Sequence, residues 1–243
     1  MSRLRWREAP LILMYQAVAK VSKDPNHLCV TPGRFADHMA WLDRRGLRGV
    51  GVGALLGAVR RGQAGRLVGI TFDDGYRSVL TDALPVLHRH GFSATAFVLS
   101  APAVRTNTWD EGTPWPLLSE AEVRELAAAG LEIGSHGATH VRLPGLSFDR
   151  LEAELAGSRA SLTEMAGVEV RGFAYPFGAM DQAVRSATSA AGYAYGCAVS
   201  TPLRALSPMA LPRAYVGEAD GGIELTLKRW LHKANSVWKG RSG

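Results

Sequence analysis

The feature that most constrains this chain is a recurring alternation. Short runs of β-forming residues are separated by segments whose apolar residues return at helical spacing, the pattern of parallel strands joined by crossover helices. The candidate strands are Leu11 to Tyr15, Leu47 to Val52, Leu67 to Phe72, Ala94 to Leu99, Leu131 to Ser135, Val170 to Tyr175, Tyr195 to Ser200 and Leu211 to Val216. They predict seven or eight strands. At 243 residues, one α/β barrel accommodates them as a single domain over 1–243.

The intervening segments read as ordinary connectors. Phe35, Met39 and Leu42 mark one face of a helix that starts after Thr31-Pro32, and Leu80, Leu84 and Leu87 mark another that stops at Gly91. Ser119 followed by Glu122 has capping-box spacing and opens a helix through Val123 and Leu126 to Gly130. Leu151, Leu155, Leu162 and Met165 outline a fourth helix, Asp181 to Ala191 a fifth, and Ile223 to Leu231 a sixth. One long connection stands apart: Ser100 to Leu118 carries Pro102, Pro114 and Pro116 with Trp109, Asp110, Glu111 and Trp115. A loop of that length inside a compact domain is either functional, with aromatic platforms for sugars, or an excursion whose tryptophans pack back onto the barrel.

Three chemical clusters each follow a candidate strand. Thr71-Phe72-Asp73-Asp74-Gly75 ends the apolar run from Leu67 with adjacent carboxylates, which repel each other and lose hydration unless a cation is near; the bland alternative is an Asp-Gly turn. Ser135-His136-Gly137-Ala138-Thr139-His140 places two imidazoles at a spacing that lets one helical turn aim both at a single ion, or leaves them as a surface pair. Phe173-Ala174-Tyr175-Pro176-Phe177-Gly178 shapes a loop in which a backbone N–H can face developing negative charge, while the side chains of Phe173 and Phe177 read as an aromatic core plug. In a parallel barrel, residues just past the strand ends gather on one face, so the three clusters are expected to converge. One carboxylate and two histidines leave coordination positions open for water and substrate.

Charge and cysteine content narrow the other classes. A net charge of +6 and a pI near 9.6 permit nonspecific attraction to anions, but the excess sits in short clusters: Arg3 to Arg7, Arg44-Arg45, Arg60-Arg61, Lys228-Arg229, Lys233, Lys239 and Arg241. These read as a solvated basic face. No nucleic-acid motif accompanies them, and no nucleic-acid partner is expected. Cys29 and Cys197 provide neither a disulfide framework nor a metal knuckle. The apolar run from Pro10 to Tyr15 is too short for a membrane span and has no cleavage site, so a cytoplasmic protein with no membrane span is expected. Oligomeric state is not legible.

The clusters, in this order, resemble the motifs of the polysaccharide deacetylase family, the NodB-homology or carbohydrate esterase family 4 domain. Thr-Phe-Asp-Asp-Gly is complete at 71–75, and the histidine pair is complete at His136 and His140, with Gly137 where many members have Ser or Thr. The match covers about residues 67–243, and Leu11 to Tyr15 is similar to the opening strand of members with an N-terminal extension. The resemblance implies a distorted (β/α)7 barrel and hydrolysis of an acetyl group from an N-acetylated, N-acetylglucosamine-type glycan or amino sugar. Asp74, His136 and His140 would hold a divalent metal, zinc first, with cobalt, nickel or manganese also compatible. Asp73 would be the base, and the Phe177 N–H would face the oxyanion.

The chain also departs from that pattern. Many members carry in the third motif an Arg that orients the base; Ala174 stands there, and Arg171 is either a substitute or a surface residue. Many supply a general-acid His from a late Leu-x-His motif; the only late histidine is His232, which reads better as an exposed residue of a basic helix. Some relatives have Met-Tyr-His near the start, where this chain has Met14-Tyr15-Gln16. These departures leave a second expectation open, a metal- and glycan-binding member that has lost turnover.

Overall fold

The computed structural model describes residues 10–21, 24–101, 103–110, 114–199 and 207–237, with side chains to residue 232 in the last stretch. The basic cluster Arg3 to Arg7, Pro102, Glu111, Ser200, Lys239, Arg241 and the Lys233 side chain lie outside the described residues.

In chain order the strands are β1 (Ile12–Tyr15), β2 (Ala17–Val18), β3 (Cys29–Val30), β4 (Arg48–Val50), β5 (Leu67–Phe72), β6 (Thr95–Val98), β7 (Glu132–Ser135), β8 (Gly172–Ala174), β9 (Tyr195–Cys197) and β10 (Ala214–Tyr215). The main sheet runs β10-β1-β5-β6-β7-β8-β9, and every pairing in it is parallel. The ring is closed by one segment. Leu211 bridges Cys197 of β9, exchanging hydrogen bonds with Gly196 and Ala198 at 2.8 and 2.9 Å, just before the chain pairs with β1 as β10. β4 pairs with the first half of β5 and β6 with its second half, which is where the barrel departs from regularity. β2 and β3 form a separate two-stranded sheet that no expectation included.

The helices are α1 (Pro32–Arg44), α2 (Val52–Arg60), α3 (Leu84–Arg89), α4 (Glu120–Ala128), α5 (Phe148–Glu152), α6 (Ser158–Ala166), α7 (Gln182–Ala190) and α8 (Gly222–Val237). The α4 start carries the expected capping box: Ser119 Oγ accepts from Glu122 N at 3.4 Å, and Glu122 Oε2 accepts from Ser119 N at 2.9 Å. Pro85 has no N–H to donate, and the chain enters α3 through a π-helical turn over Val79–Ala83.

The strand expected to reach Val52 ends at Val50, and Val52 opens α2, which the apolar pattern did not reveal. Its residues Val52-Gly53-Ala54-Leu55-Leu56-Gly57-Ala58 are small or apolar on every face, so no polar stripe marks them as helical. The Glu132 carboxylate inside the barrel accepts from Gly53 N at 2.8 Å, from Thr95 Oγ1 at 2.7 Å and from Tyr195 Oη at 2.8 Å, tying α2 to the strands.

Strand alternation sorts residues between two apolar clusters. Val68, Ile70 and Phe72 of β5 belong to the larger one, packed under the helices. Ile12, Phe97, Ala174, Tyr195, Cys197 and Leu211 meet Val52, Leu55 and Leu56 in the barrel interior. A Cβ on Gly69 would lie 3.1 Å from Ile12 and Leu55, so Gly69 faces inward, and Thr71 and Asp73 continue that inward row. Cys29 and Cys197 are buried free thiols. Among the described residues, no helix is long and apolar enough to cross a membrane.

Candidate active site

Because the strands are parallel, the segments that follow β1, β5, β7 and β8 leave the barrel at one rim. Asp73 continues β5, its N–H donating to Tyr15 O at 3.1 Å. Asp74 and Gly75 then adopt left-handed conformations, with φ of 69° and 75°. That turn is tolerable for Asp and natural for Gly, and it sends the two adjacent carboxylates to different partners.

Asp73 is received by Arg213. The guanidinium donates from Nη1 to Oδ1 at 2.6 Å and from Nη2 to Oδ2 at 2.7 Å, a bidentate pair. The same arginine donates to Thr71 Oγ1 and Ala198 O, both at 3.1 Å, and sits 5.6 Å over the Phe97 ring. Its side chain is fully buried. Burial would make it easier to deprotonate, but the Asp73 carboxylate outweighs burial and holds it charged.

Asp74 instead meets the histidines. Its Oδ1 lies 3.2 Å from Nε2 of His136 and 3.2 Å from Nε2 of His140, and all three residues are buried. Burial pushes the Asp74 carboxyl up, but the two imidazoles overcome this and leave it well below the ordinary carboxylate range. For His136, burial pulls the pKa down while Asp74 and Asp73 raise it further, so the net shift is upward; for His140 burial prevails and the net shift is downward. His136 Nδ1 donates to the backbone carbonyl of Ala174 at 2.8 Å, which orients the ring so that its Nε2 faces the Asp74 side.

These residues fit a divalent cation. Their ligand atoms lie within 4.8 Å of one another, and Asp74 Oδ1 is buried with no hydrogen-bond partner among the described residues. Bonds of about 2.0–2.1 Å in tetrahedral geometry separate two ligand atoms by about 3.3 Å, close to the 3.2 Å observed. With Arg213 cancelling Asp73, the remaining carboxylate makes the locus anionic, as a cation requires.

The histidine loop is not the helical turn its spacing suggested. It is irregular backbone, with φ of 87° at Gly137 and 58° at His140, and it still brings both imidazoles to Asp74. Around His140 the rim is aromatic: the Trp109 ring centroid lies at 4.2 Å and the Phe177 centroid at 4.5 Å. Phe173 is buried as a core plug, but Phe177 is not. The residue is 47% exposed, and its ring lies beside His140 on a backbone with φ of 57°. The left-handed turn after Pro176 points the side chain out of the barrel. Gln16 Nε2 donates to Asp74 Oδ2 at 3.4 Å. Beyond Asp74, a cleft of about 310 Å³ is lined by Ala17, Tyr76, Arg77 and Trp115.

Two expected auxiliaries fall elsewhere. Arg171 is 60% exposed and faces Glu169, so it does not substitute for the base-orienting arginine. His232 belongs to α8, which packs on α1 in the outer layer. The arginine at Asp73 is Arg213, which the motif reading missed. Its signal was a lone cation inside the apolar run Leu211 to Val216, since a charge in a buried strand needs a partner.

The polysaccharide deacetylase family model matches residues 60–196, more than half of the chain. YxkH of Bacillus subtilis (strain 168), provisionally named a polysaccharide deacetylase, is 29% identical over 187 residues, covering 76% of this chain and 62% of the relative. The chain thus spans under two thirds of that relative's length. A poly-beta-1,6-N-acetyl-D-glucosamine N-deacetylase of Staphylococcus aureus (strain MSSA476) is 23% identical, over 94% of this chain and 85% of that one. In fold, the chain is similar to the Streptococcus pyogenes deacetylase PplD in complex with acetate, with a TM-score of 0.78 at 20% identity over 90% of this chain and 97% of that one. A polysaccharide deacetylase from Bacillus cereus gives 0.76 at 23% identity, over 91% and 69%. The curled parallel barrel and the family match over most of its strands lead to one assignment: this chain belongs to the polysaccharide deacetylase family.

Proposed function

We propose that the chain, acting as one domain, is a divalent-metal-dependent hydrolase that removes acetyl groups from an N-acetylglucosamine-type polysaccharide, oligosaccharide or glycoside. The observation that carries this reading is the juxtaposition of a buried Asp74–His136–His140 cluster with a bidentate Asp73–Arg213 pair. Asp74, His136 and His140 would hold the metal, zinc first by ligand type, and a bound ion would supply Lewis-acid polarisation of the acetyl carbonyl and acidification of water. Asp73 would take a proton from the attacking water. Arg213 donates to both Asp73 oxygens and so fixes the direction in which the carboxylate faces. The backbone N–H of Phe177 faces the developing oxyanion. Trp109 and Phe177, beside His140, supply the aromatic surface that a pyranose ring stacks on.

A binding member of the same fold that has lost turnover is the second reading. Gln16 favours it, because its amide stands beside Asp74, after Met14-Tyr15, where some relatives carry a histidine. The exposed Arg171 no longer does, since Arg213 serves the base. Metal analysis of the purified protein, with acetate release from chitooligosaccharides before and after chelation, tests the first reading. Acetate release that is lost with metal and restored with zinc supports it. No release from any N- or O-acetylated glycan by metal-loaded protein overturns it. Asp73→Asn separates the two readings, abolishing turnover while sparing metal in the first and altering no rate in the second.

A further inference from the structure

The loop bearing both histidines is anchored by a carboxylate from another element. α5 and α6 are continuous through a π-helical turn, Ala153–Gly157, and Glu154 in that turn is 4% exposed. Its Oε2 accepts the backbone N–H of Ala138 at 2.7 Å and of Thr139 at 3.1 Å, and Oε1 accepts a short hydrogen bond from the Thr139 hydroxyl. Consecutive N–H groups aimed at one oxygen force the backbone between His136 and His140 to curl around it. The curl also requires Gly137: a Cβ there would lie 2.8 Å from Glu154 Oε2, on a backbone with φ of 87°. The carboxylate therefore crowds the side-chain space of the position where this chain has dispensed with a Ser or Thr.

The other end of the loop is tied to the same turn. Ser135 Oγ accepts from Gly137 N at 3.1 Å and lies 2.9 Å from Ser158 Oγ, which in turn donates to Glu154 O at 2.7 Å. Tyr193 Oη meets Ser158 Oγ at 3.0 Å and donates to Leu155 O at 3.0 Å. A π turn widens the helix by one residue, and here it presents the Glu154 carboxylate to the loop while its backbone carbonyls receive Ser158 and Tyr193.

We infer that Glu154 is a positioning residue for the metal centre: its carboxylate sets the curvature of the loop that lets His136 and His140 reach one ion. The inference rests on the metal reading proposed above. It requires hydrogen-bond geometry and not charge. A glutamine can still accept both N–H groups on its oxygen while its NH2 donates to the Thr139 hydroxyl, whereas leucine fills the volume and accepts nothing.

The test is cobalt(II) titration of the full chain, followed by calorimetry and by the visible d–d spectrum, for wild type, Glu154→Gln, Glu154→Leu and Thr139→Val. Ser119→Ala serves as a destabilised control, since the Ser119 side chain bonds Glu122 and not the histidine loop. Outer-shell partners of metal ligands typically account for about 10–100-fold in affinity, so Glu154→Leu should weaken cobalt by that factor and shift its spectrum. Glu154→Gln should stay within about threefold of wild type, and Thr139→Val should fall between, by the same outer-shell logic. Tight cobalt binding with an unchanged spectrum in Glu154→Leu overturns the inference and leaves the metal reading standing. Should Glu154→Leu fail to fold, unchanged affinity in Thr139→Val overturns it instead. A loss in Glu154→Gln equal to that in Glu154→Leu also overturns it, by making charge the cause. Wild-type protein that binds no cobalt overturns the metal reading, and the inference with it.

Discussion

Replacing Arg213 by methionine should be among the most damaging single changes in this fold, and the reason can be worked from the geometry. The guanidinium and the Asp73 carboxylate have 0% and 5% side-chain exposure, and their paired bonds are 2.6 and 2.7 Å long. Methionine fills much of the space but leaves a carboxylate buried without its counter-charge, which typically costs about 3–5 kcal/mol. Against a domain stability of about 5–15 kcal/mol, that is a large share. Adding Asp73→Asn removes the stranded charge, so the double variant should be more stable than Arg213→Met alone, with a coupling energy of about 1–3 kcal/mol. Arg213→Lys keeps a charge but not the fork, and should fall between. Urea unfolding of wild type, Arg213→Met, Asp73→Asn and the double variant, read by linear extrapolation, measures the cycle, with Arg213→Lys as a fifth protein. Acetate release should fall at least about a hundredfold in Arg213→Met, as expected when a catalytic base loses its orientation. Single variants that each cost under about 1 kcal/mol and add within about 0.5 kcal/mol would refute the reasoning.

Zinc at about one hundred times its dissociation constant should raise the unfolding free energy by about 2.7 kcal/mol in wild type and not in Asp74→Asn, as measured by denaturant titration with and without metal. Ser119→Ala should cost about 1 kcal/mol. Glu122, whose carboxyl is held below its ordinary value by Ser119 and Arg77 against some burial, contributes stability that is present above its unfolded pKa and lost as the pH falls through its folded one; Glu122→Gln should flatten that acid limb of the unfolding curve. His38 is pushed the other way for a base: burial between Tyr15 Oη and Asp220 O lowers its pKa despite the Asp220 carbonyl. Its stabilising contribution is present above the unfolded value near about 6.5 and declines as the pH falls below it, a slope that His38→Gln should remove in melts across about pH 5.5–7.5, one unit either side of that value. Trp109→Ala removes the ring stacked at 4.2 Å on His140, and should raise KM for oligosaccharides more than it lowers kcat; an unchanged substrate preference would refute a role in substrate choice.

Much of this protein is legible in one dimension. Every strand of the main barrel lies within a run of β-forming residues that the sequence displays, because strands buried on both faces, as most of these are, read as nearly continuous apolar runs. The order of the Asp-Asp, His-x-x-x-His and Pro-Phe-Gly clusters after those runs already placed them at one rim. α2 escaped notice because a helix with no polar face has no periodicity to read. Phe177 was misplaced because a hydrophobic residue at a turn carries no record of which way a left-handed backbone aims it.

What only the tertiary structure decided are the partnerships between distant segments. Arg213 reaches Asp73 because the pairing of β10 with β1 brings the segment before β10 within one strand of β5, and no local pattern links those positions. Glu154 reaches the histidine loop because a π turn presents it there. Strand and helix signals are local consequences of side-chain periodicity, so the sequence alone determined the barrel and the rim. The neighbours of a buried charge are set by chain closure and packing, and these determined which cation holds Asp73 and which carboxylate shapes the loop of His136 and His140.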